Sequence, residues 1–252
     1  MLISVITVAH NAVQTIGEAV ASVAAQDHQE LEHILIDGAS TDGTVSIARA
    51  SSSRLSKIIS EPDLGIYDAM NKGFRLAQGD IVGLLNADDI YGHTHVLSKV
   101  AEVFAADANL DACFADLVYV ERDDPQKIVR RWRSRDFCPG LFARGWVPPH
   151  PTVYFRRETL HRIGYFDTHF RQAADFEYLL RAFEVQKIRS RHVPGIWVRM
   201  RLGGATNKTS SQIVQNHREV AAALRRHRVG FVPFTLACRL MRRIPQFLNF
   251  AG

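Results

Sequence analysis

The stretch Ile81-Val82-Gly83-Leu84-Leu85-Asn86-Ala87-Asp88-Asp89 sets two adjacent carboxylates directly behind a short apolar run. Residues 81–85 are too few and too β-prone for a helix, so they read as a buried strand of a parallel sheet. Acids at the carboxyl end of such a strand stand where open α/β sheets bind ligands. Two like charges at one point are costly unless a cation or a hydrogen-bond network compensates them. A hard divalent ion such as Mg²⁺ or Mn²⁺, carrying bound phosphates, suits an all-oxygen site of this kind. Taken alone, the pair is equally well explained as turn formers after a strand.

Working back from this strand, the first half of the chain alternates strand and helix. Residues 2–9 form an apolar strand, followed by a helix from about Thr15 to Ala25 with Ile16, Ala19, Val20 and Val23 on one face. A second strand, Leu31 to Ile36, ends at Asp37-Gly38, and a helix begins near Thr44 after the turn 39–43. Ile58-Ile59-Ser60 makes a short third strand. The next helix runs from Tyr67 to Ala77, with Ile66, Ala69, Met70, Gly73, Phe74 and Ala77 facing inward. This βαβαβ rhythm predicts a doubly wound sheet with ligands above the strand ends.

The second half is less regular. The pattern gives a helix at about 94–106, a strand at 112–120 and a charged hairpin or loop at 122–135. Val147-Pro148-Pro149-His150-Pro151 then enters a strand, Thr152 to Phe155. Asp175 to Phe183 reads as a helix, because Phe176, Leu179, Leu180 and Phe183 follow the i, i+3, i+4, i+7 spacing. Another helix spans about Ser210 to Arg226, and Phe231-Val232-Pro233-Phe234 opens a final basic, apolar segment.

Composition narrows the function classes. The 252 residues are 46% apolar and 23% charged, which suits a globular chain with one large core and an appendage. Three separated cysteines, Cys113, Cys138 and Cys238, form no metal-spacing pattern and leave an odd count, pointing to a reducing compartment. The first residues read as strand rather than signal peptide, and no uncharged run reaches the ~20 residues that span a bilayer. A cytoplasmic location is the expectation. The net charge of +5 resembles a nucleic-acid signal until it is mapped. Six arginines and no acid lie from Val220 onward, which leaves residues 1–219 at −1. Without interleaved aromatic and basic residues, nucleic acid is a poor partner. The tail itself suits an interfacial helix on anionic lipid, with Phe231, Phe234, Leu236, Leu240, Ile244, Phe247, Leu248 and Phe250 as its apolar side. The competing reading is a helix packed on the core with its basic face outward.

Four polar clusters fall at strand ends: Ala9-His10-Asn11, Asp37-Gly38, Glu61-Pro62-Asp63-Leu64-Gly65 and Asp88-Asp89. Neighbouring ends of a parallel sheet would bring them to one crevice. Such carboxylates can accept a nucleobase N–H or ribose hydroxyls, while an acidic pair holds a metal on a diphosphate. Lys72 could neutralise the same diphosphate, and His150, between prolines, could position a hydroxyl.

The ordered motifs 4–11, 34–44, 63–73, 79–89 and 174–181 resemble family 2 glycosyltransferases of GT-A fold, above all small bacterial enzymes of exopolysaccharide and glycolipid assembly. The likeness spans roughly residues 2–205. It implies a GT-A domain over 1–205, with a nucleotide-sugar half of about 1–110 and an acceptor half of about 111–205. A basic helical extension, 206–252, would follow. The fold implied is α/β: a Rossmann-like, mostly parallel twisted sheet flanked by helices. The resemblance assigns the donor to Val8, Asn11, Asp37, Asp63, Lys72 and Asp88, with Asp37 on the base. The metal, Mg²⁺ or Mn²⁺, would fall to Asp88 and Asp89, because Asn86 replaces the first acid of a strict Asp-x-Asp. Asp175 matches the general base, with Ala174 where the family often has Glu; the spacing alone allows Asp175 to be a first-turn helix acid. His150 is placed on the acceptor side, and Gly203-Gly204-Ala205-Thr206 would be a loop closing over phosphates. His192 and His217 are candidates for a third metal ligand.

The activity expected is inverting transfer of a sugar from a nucleotide diphosphate-sugar to a glycan or lipid-linked acceptor. The enzyme would work in the cytoplasm or on the inner face of the membrane. Two rivals remain. A sugar-nucleotide nucleotidyltransferase would carry a Gly-rich basic loop where His10-Asn11-Ala12-Val13 stands. A non-catalytic glycan-binding relative would have no need of Asp37, Asp88, Asp89 and Asp175.

Overall fold

The computed structural model describes residues 1–203, 210–242 and 246. The first half follows the expected alternation: β1 (Ile3–Ala9), α1 (Ile16–Ala24), β2 (Leu31–Asp37), α2 (Thr44–Ser51), β3 (Leu55–Ser60), α3 (Ile66–Leu76) and β4 (Ile81–Leu84). β1 is buried along its whole length, as a strand covered on both faces must be, which is why it reads as a mostly apolar run. β1 pairs in parallel with β2 on one side and β4 on the other, and β2 pairs in parallel with β3. The carboxyl ends of all four strands therefore share one edge. α3 lies directly on this sheet. A Cβ on Gly73 would stand 2.3 Å from Ile6 Cγ2, so only glycine lets the helix approach so closely. Ile66, expected to face inward, is instead 37% exposed, because it opens α3 at the rim of the sheet.

The second half adds β5 (Asp89–Tyr91), α4 (Val96–Ala106), β6 (Ala112–Val120), β7 (Ile128–Trp132), β8 (Tyr154–Arg156), α5 (Arg157–Ile163), α6 (Ala174–Leu180), β9 (Ser190–Arg201), α7 (Ser210–Arg226) and α8 (Val232–Met241). The sheet order is β3-β2-β1-β4-β8-β6-β9-β5, with β7 paired to β6. β8 runs antiparallel to both β4 and β6, β6 is parallel to β9, and β5 is antiparallel to β9. The sheet is thus parallel in its first half and mixed in its second. The charged stretch 122–135 is a hairpin, since β7 returns antiparallel along β6. The helix expected at 175–183 is α-helical to Leu180 and continues as a π-turn, Arg181–Val185.

α7 packs on α6, and α8 lies over the 3₁₀ turn at Phe142–Arg144. Thr235 of α8 is fully buried and its hydroxyl donates to the Ala143 carbonyl, while Val232 and Leu236 join the main core. The opposite side leaves Phe231, Phe234, Leu240 and Met241 exposed. The core-packed reading of the tail therefore holds for one face of this helix, and the apolar side chains of the other face remain exposed. Ile244, Phe247, Leu248 and Phe250 lie outside the described residues, as do Gly204, Ala205 and Thr206 of the proposed loop. Among the described residues no helix is long and apolar enough to cross a membrane.

Candidate active site

The ends of β1 and β2 are laced together by short polar bonds. Asn11 N–H donates to Ser40 Oγ (2.8 Å), Thr41 N–H to Asn11 Oδ1 (3.0 Å) and Ala12 N–H to Thr44 Oγ1 (2.8 Å). Asn11 (φ 47°) and Ala39 (φ 57°) occupy the left-handed region, a strain found mainly where a loop is held for function. Gly38 has no room for a side chain, because a Cβ there would lie 2.5 Å from Asp63 Oδ2 and 3.3 Å from His10 Nδ1. Three of the four polar clusters thus meet at one point.

The donor-side residues take different places at this rim. Asp37 is fully buried, and its carboxylate accepts from Ser40 N–H (2.9 Å), Ser40 Oγ–H and Ser60 Oγ–H (2.6 Å). It braces the 38–41 turn. Val8 is a core side chain whose carbonyl accepts from Ala87 N–H (3.2 Å), tying β1 to the acidic motif. Lys72 is not free at the crevice: it pairs with Glu61 at 2.8 Å and donates to the Pro62 carbonyl. Asp63 is half-buried and accepts from Gly65 N–H at 2.8 Å, shaping the turn into α3.

The acidic pair divides. Asp88 is half-buried, and Arg201, itself only 3% exposed, donates to its carbonyl at 3.1 Å while pairing with Glu18 at 2.7 Å. Asp89 is fully buried in β5 and accepts from Asn86 Nδ2 at 3.2 Å. Burial first, and the neighbouring charge of Asp88 second, push its carboxyl well above the ordinary range. Asp89 Oδ1 and Asn86 Oδ1 are buried with no hydrogen-bond partner. Two orphaned oxygens beside a half-exposed carboxylate want a proton or a cation between them. Among the described residues no group of three His, Cys, Asp or Glu gathers as a metal cluster, so other ligands would have to come from a bound phosphate or water. His192 lies elsewhere, bonded to Asp116 at 2.8 Å.

The remaining candidates converge. Asp175, in the first turn of α6, accepts from Tyr67 Oη at 3.1 Å through Oδ1 and stands 3.6 Å from His150 Nδ1 through Oδ2. Burial lowers the His150 pKa, opposed by the negative charges of Asp175 and then Asp88. One imidazole thus feels both acids, placing the acidic motif and Asp175 on the same side of the molecule. A narrow cavity walled by Phe74, Leu84, Phe155, Phe166 and Leu179 has His150, Asp175 and Tyr178 as its polar lining. Glu219 of α7 accepts from Gln172 N–H (2.7 Å) and Ala173 N–H (2.9 Å), satisfying the start of the helix that carries Asp175. Tyr67, Arg201 and Glu219 escape the sequence reading. Only Tyr67 had a signal, its place within the 63–73 motif.

A parallel sheet edge carries polar loops and an acidic pair, a third carboxylate lines a small cavity beside β4, and the whole is a glycosyltransferase fold of GT-A type. The chain belongs to glycosyl transferase family 2, whose profile it matches over residues 4–175. It is 31% identical over 185 residues to an uncharacterized glycosyltransferase of Mycobacterium tuberculosis, covering 71% of this chain and 68% of that protein. A PGL/p-HBAD biosynthesis glycosyltransferase of Mycobacterium bovis is 28% identical over 196 residues, covering 76% of this chain and 73% of its own length. Among solved structures, the mannosyltransferase PcManGT of Pyrobaculum calidifontis, in complex with GDP-Man and Mn²⁺, superposes with a TM-score of 0.67 at 21% identity. That match covers 98% of this chain and 72% of PcManGT. Staphylococcus aureus TarS superposes at 0.66 with 17% identity; the match covers 99% of this chain and 44% of TarS. These structural likenesses establish the fold.

Proposed function

We propose that the protein is an inverting glycosyltransferase that moves a sugar from a nucleotide diphosphate-sugar to a glycan or lipid-linked acceptor in bacterial surface polysaccharide or glycolipid synthesis. The observation that carries this reading is the position of Asp175, with one oxygen held by Tyr67 and the other turned toward His150. In this scheme Asp175 accepts the proton of an acceptor hydroxyl as that oxygen attacks the anomeric carbon. The bond from that carbon to the diphosphate breaks, the diphosphate leaves with the electron pair, and configuration inverts. His150 orients the hydroxyl. Asn11, Asp37, Asp63 and Asp88 shape the donor side, Asp37 by bracing the base-proximal turn. Asp88 and Asp89 would hold Mg²⁺ or Mn²⁺, which when bound supplies charge neutralisation to the departing diphosphate. The division proposed is a catalytic domain, 1–205, with a donor half and an acceptor half, followed by the extension 206–252.

The test is a thermal-shift screen of UDP-, GDP- and dTDP-sugars with and without Mn²⁺. One donor class is expected to raise the melting temperature by several degrees only with the metal, as ligand linkage requires. No shift with any nucleotide-sugar would overturn the donor assignment, and pyrophosphate release from a nucleoside triphosphate and a sugar phosphate would favour the nucleotidyltransferase instead.

We place the enzyme at the inner membrane surface through α8, whose outward face carries Phe234, Leu240 and Met241 beside a run of arginines without acids. The double substitution Phe234→Ser, Met241→Ser is expected to reduce co-sedimentation with phosphatidylglycerol vesicles at least fivefold. Undiminished binding would exclude this role.

A further inference from the structure

Asp175 works from a helix whose start is held by a part of the chain that the family profile does not cover. The profile ends at residue 175, whereas α7 runs from Ser210 to Arg226. α6 has no capping side chain of its own, since Ala173 stands at its N-cap and Ala174 follows. Glu219 of α7 supplies the acceptor instead. Its Oε2 accepts from Gln172 N–H at 2.7 Å and from Ala173 N–H at 2.9 Å, and its Oε1 accepts from Gln215 Nε2 at 2.9 Å. Asn216 Nδ2 donates to the Gln172 carbonyl at 2.8 Å, so α7 takes both backbone groups of Gln172. Val220, Ala223 and Leu224 of the same helix are buried in the core that contains Phe176 and Leu180, and His227 stands 2.7 Å from Glu177 Oε1. α7 therefore grips α6 ahead of Asp175 and again behind it.

The carboxylate of Asp175 is fixed from the opposite side. Tyr67 Oη, on α3, donates to Asp175 Oδ1 at 3.1 Å, which leaves Oδ2 turned toward His150. Burial first, and the Asp175 charge next, push the Tyr67 hydroxyl well above its ordinary range, and the Glu219 charge adds to them. The hydroxyl thus stays a donor, and one charge on α7 is felt at the bond that orients the base. Two points settle where Asp175 stands: Tyr67 holds one oxygen, and the backbone at 172–173 sets the position from which the side chain departs. A base must stay within hydrogen-bond reach of the oxygen whose proton it takes, and a misplacement of ~1 Å can cost ~100-fold in rate.

We infer that Glu219 is a positioning residue for the base: through this carboxylate α7 seats the backbone at 172–173 and keeps Asp175 Oδ2 aimed at the acceptor hydroxyl. The inference rests on the transferase reading of Asp175, whereas the seating of the backbone does not. The role requires an acceptor atom rather than a charge. Both backbone bonds end on Oε2, so a glutamine with its amide oxygen there keeps them, and its NH₂ group meets Gln215, whose own amide turns to offer oxygen. Glu219→Gln preserves the seat, and Glu219→Ala removes it.

The full chain is supplied with each UDP-, GDP- and dTDP-sugar of the thermal-shift screen and Mn²⁺, with water as the acceptor, and release of the nucleoside diphosphate is followed. The water oxygen bonds to the anomeric carbon, its proton goes to Asp175, and the diphosphate leaves with the bonding electrons. Glu219→Ala is expected to lower kcat about thirtyfold with KM for the nucleotide-sugar within about twofold of wild type, while Glu219→Gln keeps about half of kcat or more. Hydrogen–deuterium exchange at the Gln172 and Ala173 amides is expected to quicken about tenfold in Glu219→Ala and to hold at the wild-type rate in Glu219→Gln. Wild-type kcat in Glu219→Ala overturns the inference, since Glu219 would then serve stability alone. An equal fall in Glu219→Gln overturns it by giving the role to the charge, and so does a fall in kcat with unchanged exchange. Absence of diphosphate release by the wild-type chain from every nucleotide-sugar sinks the transferase reading and with it the base that Glu219 would serve, while the exchange rates still report the seat by themselves.

Discussion

Asp175→Asn is expected to lower sugar transfer by about a thousandfold, roughly 4 kcal/mol of transition-state stabilisation, while nucleotide-dependent thermal shifts stay within a degree of wild type. The substitution preserves shape. An amide oxygen can still accept from Tyr67 Oη, which now bonds Asp175 Oδ1 at 3.1 Å, so the side chain keeps its anchor. What disappears is the group that takes the acceptor's proton. The competing role is structural: an acid in the first turn of a helix contributes about 0.3–1 kcal/mol through the helix dipole. That role predicts a small drop in melting temperature with near-normal turnover, and near-normal turnover would refute the assignment of Asp175 as base. The start of α6 has an independent support in Glu219, which accepts from the N–H groups of Gln172 and Ala173. A large loss of activity in Asp175→Asn could therefore not be put down to an unravelled helix. Far-ultraviolet circular dichroism and the nucleotide shift, measured on the same sample, separate the two roles.

How far the sequence could be read follows from which forces act locally. β1, β2 and β4 are legible because strands covered on both faces show as mostly apolar runs ending in polar turns. β5 is three residues long and has no period to detect. β9, at twelve residues, carries Arg191, His192, Arg199 and Arg201 and is interrupted by Pro194-Gly195, with register shifts against β6, so neither alternation nor hydrophobicity marks it. The mixed second half of the sheet stayed hidden for that reason. At the site, spacing finds residue types, and tertiary structure decides their partners. Lys72 is a plausible phosphate ligand in the sequence and is an ion-pair partner of Glu61 in the fold. Tyr67 meets Asp175 across 108 residues of chain, Arg201 meets the Asp88 carbonyl across 113, and Glu219 reaches Gln172 across 47. None of these pairings leaves a local trace.

Asp89→Asn is expected to move two observables in opposite directions. Without metal, the variant should melt about 3 °C above wild type, corresponding to about 1 kcal/mol in a chain of this size. With Mn²⁺ and the preferred nucleotide-sugar, its affinity should be at least tenfold weaker and its metal-dependent shift nearly absent. The first effect follows from burial. Asp89 has no exposed surface, stands next to Asp88, and leaves Oδ1 without a partner while Asn86 Oδ1 is also orphaned. A buried carboxylate only partly compensated, by the Asn86 hydrogen bond and the Arg201 charge, destabilises the fold, and an amide removes the charge while offering N–H donors to that neighbourhood. The second effect follows from chemistry, because a hard cation prefers carboxylate oxygens to a neutral amide. A buried acid that strains the free protein beside a ligand crevice is most simply explained by a ligand that relieves it. Asp88→Asn serves as the contrast: its half-exposed side chain carries little burial penalty, so it should lose metal response without gaining metal-free stability. A variant at Asp89 that neither stabilises the free protein nor weakens the response to Mn²⁺ would show that the buried acid is a packing element of β5. The metal would then have to be held by Asp88 and the donor's own phosphates.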